Sequence, residues 1–349
     1  MIDLRVPRPA PAGSAGCYAD WLAVAAPRLP AHLVPPASLG PALRMAAHLP
    51  GDCLGGFEIR LGADAPGEPV DLSVQVTEPR QAQDILARVP TARLQASLSD
   101  WAAGRISTDE VPSFWLEYDA EAIGDVQPAA GAVPDPIVLV QLSRGVRARW
   151  FADEYMPVFL GFAPPAAQLA RAARAMQQLL PALRPLYVFG LRSRGSDAIR
   201  IDTVGSSLAG VVPFLRRAIS DQAAQRAEAA LPLLADAERV HFSFEVTPDG
   251  FGPRFGIEGS FRRQLPREPR WHALFDRLVA DGLCTPAQRD AVVSWPGHDT
   301  ARSSAAWPSD AGDPRTGLCV YAISHVKLSL SPGRPVQAKA YLIVKFMRR

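Results

Sequence analysis

Lysine is nearly missing from this chain. Of 37 basic residues only Lys327, Lys339 and Lys345 are lysines, and all three lie in "HVKLSLSPGRPVQAKAYLIVKF", His325 to Phe346. Cysteine is scarce too: Cys17, Cys53, Cys284 and Cys319 are far apart, form no CxxC and make no ligand cluster with the six histidines. That excludes a disulfide framework and a sequence-local zinc site, and points to a reduced, cytoplasmic protein. No run of 18 apolar residues occurs, and the opening "MIDLRVPRPAPAGSAG" has no apolar core, so neither a membrane span nor a signal peptide is expected. Charge is nearly balanced, 37 basic against 35 acidic residues, which leaves no polyanion-binding excess and no nucleic-acid partner. GxSxG, HExxH, P-loop and GxGxxG motifs are absent, and so is a DDxxD-type pair able to clamp a diphosphate through Mg2+.

The 349 residues present are rich in Ala, Arg and Pro, as codon bias toward GC produces. Such a bias replaces lysine by arginine wherever the two are interchangeable, so the three surviving lysines carry information. Length allows one large domain. Residues 1–16 are expected to be a flexible arm and 17–349 a single domain.

Alternating apolar and polar residues recur in five pairs of short segments. They are "FEIRL" with "VDLSVQV", "FWLEYD" with "PIVLVQL", "LYVFGLR" with "AIRIDTV", "HFSFEV" with "RFGIEGSF", and the lysine-bearing stretch itself, turned by "SPGRP". Helical segments lie between the pairs. "PPAAQLARAARAMQQLLPALRP" puts Leu169, Ala172, Ala173, Met176, Leu179, Leu180 and Leu183 on one stripe. The fold class expected is α+β: a ten-stranded antiparallel barrel built from five hairpins, with helices outside. An open two-layer sheet with its polar face in water fits the same alternation.

In the last pair Val326, Leu328, Leu330, Ala338, Ala340, Leu342, Val344 and Phe346 form the apolar face. His325, Lys327, Ser329, Gln337, Lys339, Tyr341 and Lys345 form the other. If the barrel closes, this second face lines a lumen, and Arg60, Arg192, Arg200, Lys327 and Lys339 from three hairpins could hold phosphate oxygens. Glu58, Glu117, Asp119, Asp202, Glu245 and Glu258 share that face and would pair with the cations or supply a base. Trp115 and Tyr341 are its large aromatics. An isolated Arg or Glu on such a face is more often solvated or in a structural ion pair. Lys345, near the strand end, is expected to be exposed. His241 and His325 are read as strand-opening residues without a catalytic part, and Trp271, Phe275 and Trp295 as packing anchors. The long segment Ser294 to Gly317 is a lid over one mouth or a disordered loop.

"FEIRL" with "VDLSVQVTEP", and "AISHVKLSLSPGRPVQAKAYL", resemble the first and closing hairpins of aromatic prenyltransferases of the ABBA or PT-barrel type, in the dimethylallyltryptophan synthase-like branch. The resemblance covers roughly residues 40–349. It implies that Glu58 deprotonates the acceptor and that Tyr341 shields an allylic cation. It further implies that Arg60, Arg192, Arg200, Lys327 and Lys339 hold the diphosphate, with Glu117 and Trp115 also at the site. No cofactor is implied, Mg2+ being at most a stimulant. The partners implied are an allylic diphosphate (dimethylallyl or geranyl) and an aromatic or peptide-borne acceptor. The chain departs from the family pattern: "VLVQL" and "FGIEGSF" lack Lys-x-Tyr pairs, and Asp71 stands where an arginine is expected. The alternative is therefore a non-catalytic or differently catalytic barrel that binds a peptide or small molecule in a biosynthetic pathway. Convergence of the cations on a diphosphate-sized space favours the first reading. Neutralisation of each cation by a carboxylate favours the second.

Overall fold

Side chains alternate across a strand, so each hairpin of this chain has one apolar and one mixed face, and only closure or a second layer can bury the apolar one. The computed structural model describes residues 16–63, 67–89, 91–120, 134–143, 156–160, 162–308 and 317–348. Its strands are β1 (Leu54–Arg60), β2 (Asp71–Val76), β3 (Phe114–Tyr118), β4 (Ile137–Gln141), β5 (Leu183–Gly190), β6 (Ile199–Gly205), β7 (Arg239–Val246), β8 (Phe251–Ser260), β9 (Gly297–Asp299), β10 (Gly317–Leu330) and β11 (Gln337–Arg348). Successive strands pair antiparallel from β1 to β8, β8 pairs with β10, β10 with β11, and β11 returns to β1. The sheet is a closed ten-stranded barrel with helices outside. Short β9 is an appendage on β10.

Closure brings the two ends of the chain's strand series together. Glu58 lies opposite Tyr341 and Arg60 opposite Lys339 across the β1–β11 seam. The apolar faces, including Phe57, Ile59, Phe242, Phe244, Leu328 and Leu342, point outward into the core beneath the helices. Polar residues are left facing the lumen. The open-sheet alternative is thereby overturned.

Two helices precede the first hairpin, Tyr18–Ala25 and Pro36–Ala46, in a stretch where proline obscures the periodicity. The first is spaced to bury Tyr18, Trp21, Leu22 and Ala25. It seals the seam from outside: the Tyr18 hydroxyl donates to the Val344 carbonyl at 2.9 Å, and Trp21 stacks on Phe346 at 3.9 Å. The helix expected through Leu183 stops at Leu179, and its buried stripe is Gln168, Ala172, Ala175, Met176 and Leu179. Pro181 cannot donate to a helix and forces Leu180 into extended backbone, so Leu180 is exposed and Leu183 opens β5.

The arm expected over 1–16 lies, except for Gly16, outside the described residues, as does most of the loop joining β3 to β4. Of the Ser294–Gly317 segment, the described part packs on the barrel exterior. Trp307 meets Trp21 and Phe346, and β9 extends the sheet beside Cys319, Val320 and Tyr321. Trp271, Phe275 and Trp295 are buried packing anchors.

Candidate active site

Strand parity divides the lumen into two walls. On β3, β4 and β5 the inward residues include Trp115, Leu139, Tyr187 and Phe189, and these make an apolar wall. Trp115 Nε1–H donates to the Tyr187 hydroxyl at 3.2 Å, which satisfies the one polar atom of the indole. On β7, β8, β10 and β11 the inward residues are His241, Glu258, Ser324, His325, Lys327 and Tyr341. Together with Ser73, Glu117 and Asp202 the two walls enclose a cavity of about 100 Å³.

Ser324 and His325 are chain neighbours and would ordinarily point to opposite faces. A bulge between Ile323 and His325 lets both reach the cavity. Gln264 satisfies the backbone freed there: its Nε2 donates to Ile323 O at 3.0 Å and its Oε1 accepts from Ile323 N at 2.8 Å. His325 then stacks on Tyr341, with ring centroids 3.9 Å apart.

Each cation of the lumen has a carboxylate. Lys339 is ion-paired with Glu58, Lys327 Nζ lies 2.8 Å from Glu258, and Arg200 sits 3.9 Å from Glu245. Arg60 pairs with Glu68. The cations therefore do not form an open diphosphate cradle, and the neutralisation that favours the binding reading is what is found.

Burial and charge neighbours separate the acids into two sets. Glu58 accepts hydrogen bonds from Lys339 Nζ and the Tyr341 hydroxyl, and despite burial the two lysines hold its pKa down at about 2. Glu258 is also pushed below the usual carboxylate range, despite its burial, by Lys327 and His325. Asp71, opposite Glu58 in register, is raised to about 7 by burial and by the Glu58 charge. Asp202 is raised to about 8 by burial and by Glu258. Burial lowers His241 to about 3 and His325 to about 4, so both imidazoles are neutral at pH 7.

Of the residues expected from sequence, Trp115, Glu117, Lys327 and Tyr341 line the cavity. Glu58 is buried beside it, reached through Tyr341 and Lys339. Arg200 is mostly buried and donates to Ser243 Oγ at 3.4 Å, and Arg60 stands near the hairpin-turn end. Arg192 is a correction. Strand β5 ends at Gly190, and Arg192 falls in the following turn, half-exposed, paired with Asp197 at 2.9 Å and stacked over Phe162. The turn, closed by left-handed Gly195, sends Arg194 instead to Glu117 at 2.8 Å and to Asp119. Lys345 is half-buried on a strand face, not exposed, and desolvation lowers its pKa.

His241 and His325, read from sequence as strand-opening residues without a catalytic part, line the cavity, as does Tyr187, which the sequence did not single out. For the two histidines, parity with Ser243 and Lys327 was the available signal, because residues two apart share a face.

No protein-family profile matches the chain, and no curated protein matches it. Among solved structures it is similar to three prenyltransferases. NotF prenyltransferase is 12% identical, with 84% of this chain and 80% of that one covered and a TM-score of 0.42. The apo form of prenyltransferase PriB is 16% identical, with 93% and 94% covered and a TM-score of 0.44. AnaPT from Neosartorya fischeri is 12% identical, with 86% and 80% covered and a TM-score of 0.45. At these values the barrel assignment rests on the chain's own strand pairing.

Proposed function

We propose that this chain is a transferase that moves a dimethylallyl or geranyl group from its diphosphate to an aromatic or peptide-borne acceptor inside the barrel. The observation that carries the reading is the double position of Tyr341, which lines the cavity and donates its hydroxyl proton to the ionised Glu58. The allylic C–O bond breaks and its electron pair leaves with the diphosphate. A π pair of the acceptor ring forms the new C–C bond. The ring proton then passes to Tyr341 Oη as the tyrosine's own proton moves to Glu58 Oε2. A protonated arene is a strong acid, so a carboxylate with a low pKa suffices. Trp115 and Tyr187 offer π faces to the allylic cation. A diphosphate would have to compete with Glu58 and Glu258 for Lys339 and Lys327. The reaction needs neither nucleic acid nor membrane and suits the cytoplasm.

The pairing of every lumen cation named above favours a second reading, in which the barrel binds a neutral or cationic small molecule or peptide and performs no diphosphate chemistry. Incubation with dimethylallyl and geranyl diphosphate and a panel of indoles, phenols and peptides separates the two. Diphosphate release with an alkylated product by mass spectrometry supports the first. Acceptor binding without release, and no binding of a thiolodiphosphate analogue, leaves only the second.

A further inference from the structure

Asp202, His241 and Glu258 project inward from the neighbouring strands β6, β7 and β8, and His241 is directly opposite Glu258 in register. Each offers one ligand atom, and these atoms lie within 4.8 Å of one another on the cavity wall. All three side chains are deeply buried, at 7%, 5% and 3% exposure. Asp202 Oδ1 and His241 Nδ1 are buried without a hydrogen-bond partner among the described residues. A buried polar atom left without a partner is costly. Two in one cluster therefore mark a place where a polar species belongs.

A divalent cation, taking the place of any proton held there, is attracted by all three ligand atoms at once. We propose that Asp202, His241 and Glu258 bind one divalent transition-metal ion. An imidazole beside two carboxylates suits Zn2+, Co2+, Mn2+ or Fe2+, whereas Mg2+ prefers an all-oxygen octahedron. His325 stands beside the cluster: its Nε2 lies 3.3 Å from Glu258 Oε2, and its ring is nearly parallel to that of His241, 6.2 Å away. Lys327, 2.8 Å from Glu258 Oε1, can keep that oxygen while Oε2 turns to the metal, as an outer partner orienting a ligand. This departs from the metal-free site expected from sequence. Such an ion would also bring positive charge to a wall whose side-chain cations are already paired; only that use, not the binding itself, rests on the transferase reading.

The test uses full-length protein stripped of metal by chelation and titrated with Co2+ in the absence of any substrate. The expected result is one equivalent bound per chain, with visible d–d bands of four- or five-coordinate Co2+ that bleach on adding Zn2+. Asp202→Asn and Glu258→Gln, each confirmed folded by circular dichroism, are expected to weaken binding by about 10–100-fold or more. A wild-type protein that takes up no Co2+, or folded variants that bind it as tightly, overturns the proposal and leaves a water-filled cluster. Because no diphosphate or acceptor is present, the outcome is independent of whether prenyl transfer occurs.

Discussion

Glu58 and Tyr341 lie 283 residues apart in sequence and directly opposite each other across the seam that closes the barrel, joined by a hydrogen bond from the tyrosine hydroxyl to the carboxylate. The same seam sets Lys339 opposite Arg60 and gives Glu58 its second donor. A barrel that failed to close would therefore lose this hydrogen bond together with the cavity.

If the acceptor proton leaves through this pair, Tyr341→Phe and Glu58→Gln each lower kcat by about 10²–10⁴-fold, the range of a general-base contribution. The double variant falls little further, because both substitutions cut one path. Single-turnover product formation by mass spectrometry measures this. A Glu58→Gln enzyme with undiminished kcat would show that the proton leaves another way.

Lys327→Met leaves Glu258 buried without its ammonium partner, and breaking a buried pair costs about 3–5 kcal/mol. Adding Glu258→Gln recovers part of the loss. The sign with pH follows from the lowered pKa of Glu258. The pair's stabilisation is complete above its ordinary value of 4.5 and is lost as pH falls toward the folded value. Urea melts at pH 7 and pH 4 check both points: the gap between wild type and Lys327→Met narrows at pH 4.

Asp202 behaves in the opposite sense. Its pKa rises from 3.8 to about 8 on folding, so its contribution is fully present below 3.8 and is lost as pH rises through 8. Asp202→Asn in metal-free protein removes that loss. Between pH 5 and pH 8.5 its melting temperature falls less than that of the wild type, and at pH 8.5 the variant is the more stable of the two. Thermal melts by circular dichroism with a chelator present decide it; parallel pH curves for the two proteins would show that Asp202 ionises normally in the fold.

Gly56 lies where β1 meets β11, and a Cβ there would stand 1.9 Å from the Leu342 carbonyl oxygen. No rotamer relieves a clash with backbone, so Gly56→Ala is expected to destabilise the protein by about 1–3 kcal/mol or more. A Cβ at Gly256 meets Ser243 Oγ and Lys327 Cε, side-chain atoms able to shift. Gly256→Ala is thus the milder change. Comparing the two denaturation midpoints tests whether the seam is the sensitive point of the barrel.

Much of the architecture was legible in advance. Five alternating pairs with helices between them gave the strand order, and same-face spacing put Trp115, Glu117, Lys327 and Tyr341 on the lumen side. The helices before β1 were not legible, because Pro27, Pro30, Pro35, Pro36 and Pro41 interrupt the periodicity that would have disclosed them. Arg192 was misplaced because it lies beyond Gly190, where the strand ends, and because the inward parity of Tyr187 and Phe189 continues to Leu191 instead. The reach of Ser324 into the cavity depends on a bulge, which shifts parity by one residue without a sequence mark.

What the sequence determined by itself is parity: a period of two decides which side chains share a face, and it placed all three lysines, both histidines and the acids on the same side of the sheet. Which carboxylate meets which cation was settled only by tertiary structure, because register across the seam joins residues nearly 300 positions apart. The charge states were settled there as well. Glu58 and Glu258, held against ammonium groups, keep their charge, while burial and a neighbouring carboxylate raise Asp71 to about 7 and Asp202 to about 8.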